Sequence, residues 1–201
     1  MIKIKDDFRL PVVLSISLLL ILAETAGSIF SKSLSLLSHA GLILAVSFSA
    51  LPLIANQNLN LQRPEEFRRS QFYSISFNCL MLLIIAVYII YKSVFLLPNP
   101  REINPALTCL IAFSAFIGLI PCIIILYYEM KKNKAIKSLF FKYIFCALLS
   151  SFIIMSSVIY YLKDMYFLEP VVSISVAVFI VIQTILLIKQ ALFILIRQPF
   201  F

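Results

Sequence analysis

Lys137-Ser138-Leu139-Phe140-Phe141-Lys142-Tyr143-Ile144-Phe145-Cys146 opens an apolar run that, past Lys142, meets no charge before Lys163. Twenty uncharged residues separate Lys142 from Lys163, and a helix of about 20 residues crosses a hydrocarbon core. Lys142 falls one turn inside the segment and Cys146 one turn further. Residues four apart share a helix face, so ammonium and thiol point the same way. A lysine at mid-bilayer costs roughly 3 kcal/mol on insertion scales. It calls for a partner, a water-filled cavity, or a route for its stem to the interface.

The same pattern recurs along the chain. Uncharged runs of 14 residues follow Arg9, 30 follow Lys32, 22 follow Arg69, 26 follow Glu102 and 19 follow Glu169. With 62% hydrophobic residues, 13% charged and a mean hydropathy of +1.04, the 201 residues describe an all-α integral membrane protein. Six transmembrane helices are predicted, over about 10–30, 34–55, 72–95, 106–128, 138–162 and 170–188. They form one six-span domain, and no C-terminal cytoplasmic domain is expected. Asn56 to Gln71 reads as a polar loop broken at Pro64, Pro121 as a kink in span 4, and Pro170 as a first-turn proline. Pro52 sits near the inner end of span 2, and Ala191 to Ile196 reads as an extension of span 6 along the membrane surface.

The net charge of +8 sits in the short connections, which points to membrane topology and away from nucleic acid. Lys3, Lys5, Arg9, Arg63, Arg68, Arg69, Lys131, Lys132, Lys134, Lys137, Lys189 and Arg197 fall on one side, and Lys32, Lys92, Arg101 and Lys163 on the other. The positive-inside rule then predicts both termini in the cytoplasm, with the cell (inner) membrane as the expected location. Cys79, Cys109, Cys122 and Cys146 lie inside spans with no CxxC pair, as small apolar residues do, and imply no disulfide. Asp6, Asp7 and Glu24 argue against a cleavable signal. No nucleophile–base or carboxylate pair suggests an enzyme. Glu24, His39 and Asn78 are the other intramembrane polar residues.

Several stretches resemble the cation diffusion facilitators, the zinc-efflux transporter family. Glu24-Thr-Ala-Gly27-Ser-Ile-Phe-Ser31-Lys-Ser33-Leu-Ser-Leu-Leu37-Ser-His39-Ala-Gly41 is similar to that family's junction of spans 1 and 2, roughly E-L-x-G-G-x-x-S-x-S-L-A-L-L-A-D-A-G/A-H. Asn78 to Tyr91 resembles its span 3, Leu97-Pro-Asn99-Pro100 its L-x-N-P turn, Glu169-Pro170-Val-Val-Ser173 its D-P-I-A-S, and Gln190-Ala-Leu-Phe-Ile-Leu its exit from span 6. The resemblance covers about residues 10–200. It implies a six-helix bundle, commonly dimeric, that exchanges a cytoplasmic divalent cation such as Zn2+ for protons.

In that family the metal is held by an H/D-x-x-x-D on span 2 and another on span 5, two helix faces closing a four-coordinate site. The resemblance places those positions at Leu42, Val46, Lys142 and Cys146, where the ligands are mostly lost. Only a Cys146 thiolate could ligate a metal. His39 falls where the family has a non-ligand aspartate, and is expected to be an interfacial hydrogen-bonding histidine, with an outer-vestibule ligand as the alternative. Phe145 and Leu149 replace glycines and are expected to fill space near the site. Gln71 and Lys92 stand where the family has glutamates.

Two readings of Lys142 stay open. One is snorkelling, since the residue lies about four residues, roughly 6 Å, inside span 5. The other is a fixed ammonium standing where the family binds its cation. Glu24 is about 15 Å away in depth, so a direct Glu24–Lys142 pair is not expected. Three functions follow: divalent-cation efflux by proton antiport, a non-transporting pseudo-transporter serving as partner or regulator, or transport of a non-metal solute. The lipid bilayer is the implied surrounding, with a homodimer or a heterodimer with a related transporter as the implied assembly. No cofactor is implied, and zinc or another divalent ion enters only as a family-implied substrate.

Overall fold

The computed structural model describes residues 9–51, 64–98, 102–131, 134–163 and 165–197. They form six helices: α1 (Arg9–Ser31), α2 (Leu34–Phe48), α3 (Pro64–Leu96), α4 (Pro105–Met130), α5 (Lys134–Lys163) and α6 (Leu168–Arg197). Five carry segments long and apolar enough to cross a membrane: α1, Ile75–Leu96 of α3, α4, Ile136–Lys163 of α5 and Leu168–Lys189 of α6.

The sixth, α2, is shorter than the sequence pattern predicts. It has 15 residues, a length of about 22 Å, where 34–55 was expected. Serines end it: the Ser49 amide is shared between the carbonyls of Ala45 and Val46 at 3.3 and 3.1 Å, and a turn follows. Leu51 is helical again after the turn, and Pro52 with residues 53–63 lies outside the described residues. The expected loop is also shorter, because the chain is helical from Pro64 onward. A proline at the first helical position gives up no hydrogen bond. At the other end of the chain α6 runs unbroken through Ala191 to Arg197. Helix α4 continues through Pro121.

α2 is the most enclosed helix, with only the stripe Leu37, Gly41, Leu44 and Phe48 half-exposed. It packs against α1, α3, α5 and α6, while α4 pairs with α5, α3 with α6, and α1 lies between α2 and α4. Its apolar residues Leu34, Leu36, Leu42, Ile43, Ala45 and Val46 are all buried, as expected for a helix apolar all round. Large apolar side chains of the other helices, such as Leu19, Phe95, Leu110, Phe152 and Leu186, point outward, the arrangement a bilayer solvates.

The turn between α1 and α2 is built tightly. Lys32 adopts φ 59°, and the Ser33 amide reaches back to the Ser28 carbonyl at 3.1 Å. That is a Schellman closure with lysine where glycine is usual. Ser33 then caps α2. Glu169 of α6 fixes the same turn, accepting from Ser33 Oγ at 2.7 Å, the Ser35 amide at 2.8 Å and Ser35 Oγ at 3.0 Å. A carboxylate on a helix N-terminus is favoured by the dipole as well. At the opposite end Arg9 of α1 pairs with Glu129 of α4.

Candidate functional site

The α1–α2 turn sets the depth of everything on α2. His39, Leu42 and Val46 follow at spacings of three and four, so they form one stripe. Leu42 and Val46 line a cavity with Ala45 of α2, Asn78 and Leu82 of α3, Lys142 of α5, and Gln183 and Leu187 of α6. The cavity has about 10 Å³ of free space, room for about one water molecule.

Three of the four positions singled out by family resemblance, Leu42, Val46 and Lys142, therefore meet at one place. Cys146 lies one turn further along α5, buried, and joins the surroundings through its backbone. Lys142 lies about six residues, roughly 9 Å, inside the apolar segment that starts at Ile136. Its half-buried side chain lines the cavity. The titratable groups coupled to its charge are the thiols of Cys146 and Cys79. Among the described residues no carboxylate pairs with it. Asn78 is fixed by its Nδ2, which donates to the Ala45 carbonyl at 2.9 Å, and its buried Oδ1 has no partner. Among the described residues no three His, Cys, Asp or Glu side chains cluster in a way that could hold a metal ion.

His39 is a hydrogen-bonding histidine, fully buried within the bundle. Its Nδ1 lies 2.7 Å from Glu24 Oε1, and its Nε2 lies 2.9 Å from the Cys146 carbonyl oxygen and 3.1 Å from Ser150 Oγ. Glu24, also buried, thus has a partner that the sequence reading did not give it. The pair joins α1, α2 and α5 one turn from the cavity. Phe145 stacks on Phe179 of α6 with ring centroids 3.5 Å apart, and Leu149 is in the core. Gln183, Ser17 and Tyr143 were missed by the sequence reading. Ser17 Oγ and Tyr143 Oη lie 2.7 Å apart, tying α1 to α5.

With this geometry in place, the comparison with known proteins is decisive for kinship. The profile of the cation efflux transmembrane domain matches residues 10–196. The chain belongs to the cation efflux family. Among its relatives are the metal cation efflux system protein CzcD of Cupriavidus metallidurans and the cation efflux system protein CzcD of an Alcaligenes species. Each is 28% identical over 105 residues, a match covering 49% of this chain and 33% of the relative. An all-helical, multi-pass membrane bundle of cation-efflux type is thus established for this chain.

Proposed function

We propose that this cation-efflux bundle carries its own cation, the Lys142 ammonium, in its central seat and does not pass a divalent metal ion there. The observation that supports this is the single cavity shared by Leu42, Val46 and Lys142. A tetrahedral zinc site needs nitrogen, sulfur or carboxylate donors, and two aliphatic chains and an ammonium offer none. The relatives are efflux proteins by name, and divalent-cation efflux coupled to protons is what kinship suggests for the fold. In this chain the donor set speaks against it.

On this reading the bundle acts as a non-transporting member of the family, assembled with a second copy or with a related transporter. A cavity with room for about one water molecule also disfavours an organic solute as cargo. The distribution of lysine and arginine supports termini on the cytoplasmic side of the cell membrane.

The test is ion flux into proteoliposomes loaded with a metal indicator, with Zn2+, Mn2+ or Fe2+ outside and a proton gradient imposed. Flux is expected to equal that of protein-free vesicles. Saturable uptake that depends on the gradient would overturn the proposal. A second arm checks the assignment of positions: the combined Leu42→His, Val46→Asp, Lys142→His and Cys146→Asp variant is expected to gain zinc binding.

A further inference from the structure

Glu24 and His39 take no part in the cavity and have no role in the reading above. Their hydrogen-bond geometry admits two proton counts. A carbonyl oxygen only accepts, so the contact with Cys146 requires a hydrogen on Nε2 of His39. Nδ1 and Glu24 Oε1, 2.7 Å apart, then need one more hydrogen between them. Imidazolium with carboxylate, or neutral imidazole with carboxylic acid, gives the same count. The pair is neutral overall, and one of its protons is acidic.

Removing that proton would usually strand a buried group. Here it does not. The remaining ring hydrogen moves to Nδ1 and donates to the Glu24 carboxylate, and the bare Nε2 accepts from the Ser150 hydroxyl, already 3.1 Å away. A hydroxyl both donates and accepts, so Ser150 serves both states. The Cys146 carbonyl keeps its place in the α5 ladder, and its oxygen, 2.9 Å from Nε2 in the protonated state, draws back from the bare nitrogen. Each state leaves both ring nitrogens with partners, and the two states differ by one proton.

We propose that Glu24, His39 and Ser150 form a proton-binding site, with one exchangeable proton between Glu24 Oε1 and His39 Nδ1 and a Ser150-supported tautomer after its release. In the step a neutral pair becomes an anionic pair and one proton leaves; no other bond changes. A second observation bears on the carboxylate: Glu24 Oε2 is buried without a hydrogen-bond partner, so the carboxylate keeps an unfilled acceptor position beside the exchangeable proton.

The charged surroundings are sparse. Glu24 is the carboxylate that His39 senses. From α5 the Cys146 thiol faces Glu24, and Lys142 lies one turn on; from α3 Cys79 stands beside Lys142. Cys122 of α4 approaches Tyr143, and Glu169 of α6 is engaged by Ser33 and Ser35. The site spans α1, α2 and α5, so its occupancy acts on helices that also shape the Lys142 cavity. It stands whether or not that cavity admits a metal.

His39 is the chain's single histidine, which makes nitrogen-15 NMR of histidine-labelled protein in lipid nanodiscs a direct test. Between about pH 5 and pH 9 the ring is expected to change reversibly from a bound Nε2 hydrogen at low pH to an Nδ1-only tautomer at high pH. Ser150→Ala removes the donor of the released state and is expected to raise proton affinity at least tenfold, with Ser150→Thr restoring it. Glu24→Gln removes the anionic partner and is expected to lower the affinity at least tenfold. An unchanging ring in the wild-type series overturns the proposal, whatever the variants do. So does a titration that neither Ser150→Ala nor Glu24→Gln displaces.

Discussion

Replacing Lys142 by methionine separates a tethered but unpaired cation from a lysine that holds the bundle together. Met fills a similar volume and leaves the apolar walls of Leu42, Val46, Leu82 and Leu187 in place. A lysine at the centre of a span costs roughly 3 kcal/mol on insertion scales. Lys142 is half-buried and lies about two turns inside its apolar segment, so about half of that figure applies. The substitution is expected to stabilise the bundle by about 1–2 kcal/mol. The assay is reversible unfolding in mixed micelles, titrating SDS and following far-ultraviolet circular dichroism, with Lys142→Arg as the charge-retaining control. A loss of about 1 kcal/mol or more on Lys142→Met, with Lys142→Arg near wild type, would refute the reasoning. It would mean that the ammonium makes a favourable ion pair or hydrogen bond.

Other perturbations probe the scaffold and the seat. Glu169→Ala removes an acceptor serving three hydrogen bonds and is expected to destabilise by about 3 kcal/mol or more in the same assay, since bonds to a charged group contribute about 1.5–3 kcal/mol each; Glu169→Gln, which keeps one acceptor oxygen, is expected to lose about half as much. Lys32→Gly relieves a left-handed backbone at an exposed position and is expected to stabilise by about 0.5–1 kcal/mol. Leu42→His with Val46→Asp is expected to show no zinc binding by isothermal titration until Lys142→His is added. If the double variant alone binds zinc, Lys142 is not the block.

The apolar runs made the bundle readable, because length against bilayer thickness is a one-dimensional property. α2 was misread for the same reason. A largely buried helix has the composition of a span without needing its length, and this one breaks at the turn of Ser49 and Ala50. The meeting of Leu42, Val46 and Lys142 was implied by the family resemblance; spacing alone gives only that Leu42 and Val46, four apart, share a face. Gln183 was not, because it comes from a helix whose rotation no local pattern reveals.

The Glu24–His39 contact was legible in principle. Glu24 lies seven residues before Ser31 and His39 five after Leu34, which puts both at about 8–10 Å from the turn of an antiparallel hairpin. Two buried polar groups at equal depth on adjacent helices have each other as the nearest remedy for desolvation. In the sequence reading His39 is set at the interface and Glu24 is weighed only against Lys142, so the pairing goes unread.

On the proposed reading, what closes the seat is more than missing ligands. Leu42 and Val46 withhold donors, which by itself leaves a site merely weak. Lys142 adds repulsion: one positive charge about 6 Å from a divalent ion, at an effective dielectric of about 20, opposes binding by about 5–6 kcal/mol. That corresponds to about four orders of magnitude in affinity. One turn along the same stripe of α2 the chemistry has the opposite sign. His39 meets a carboxylate and a hydroxyl, the groups of the proposed proton site. On the two proposals together, a helix that presents aliphatic side chains at 42 and 46 and a bonded imidazole at 39 disfavours the metal and keeps a place for the proton.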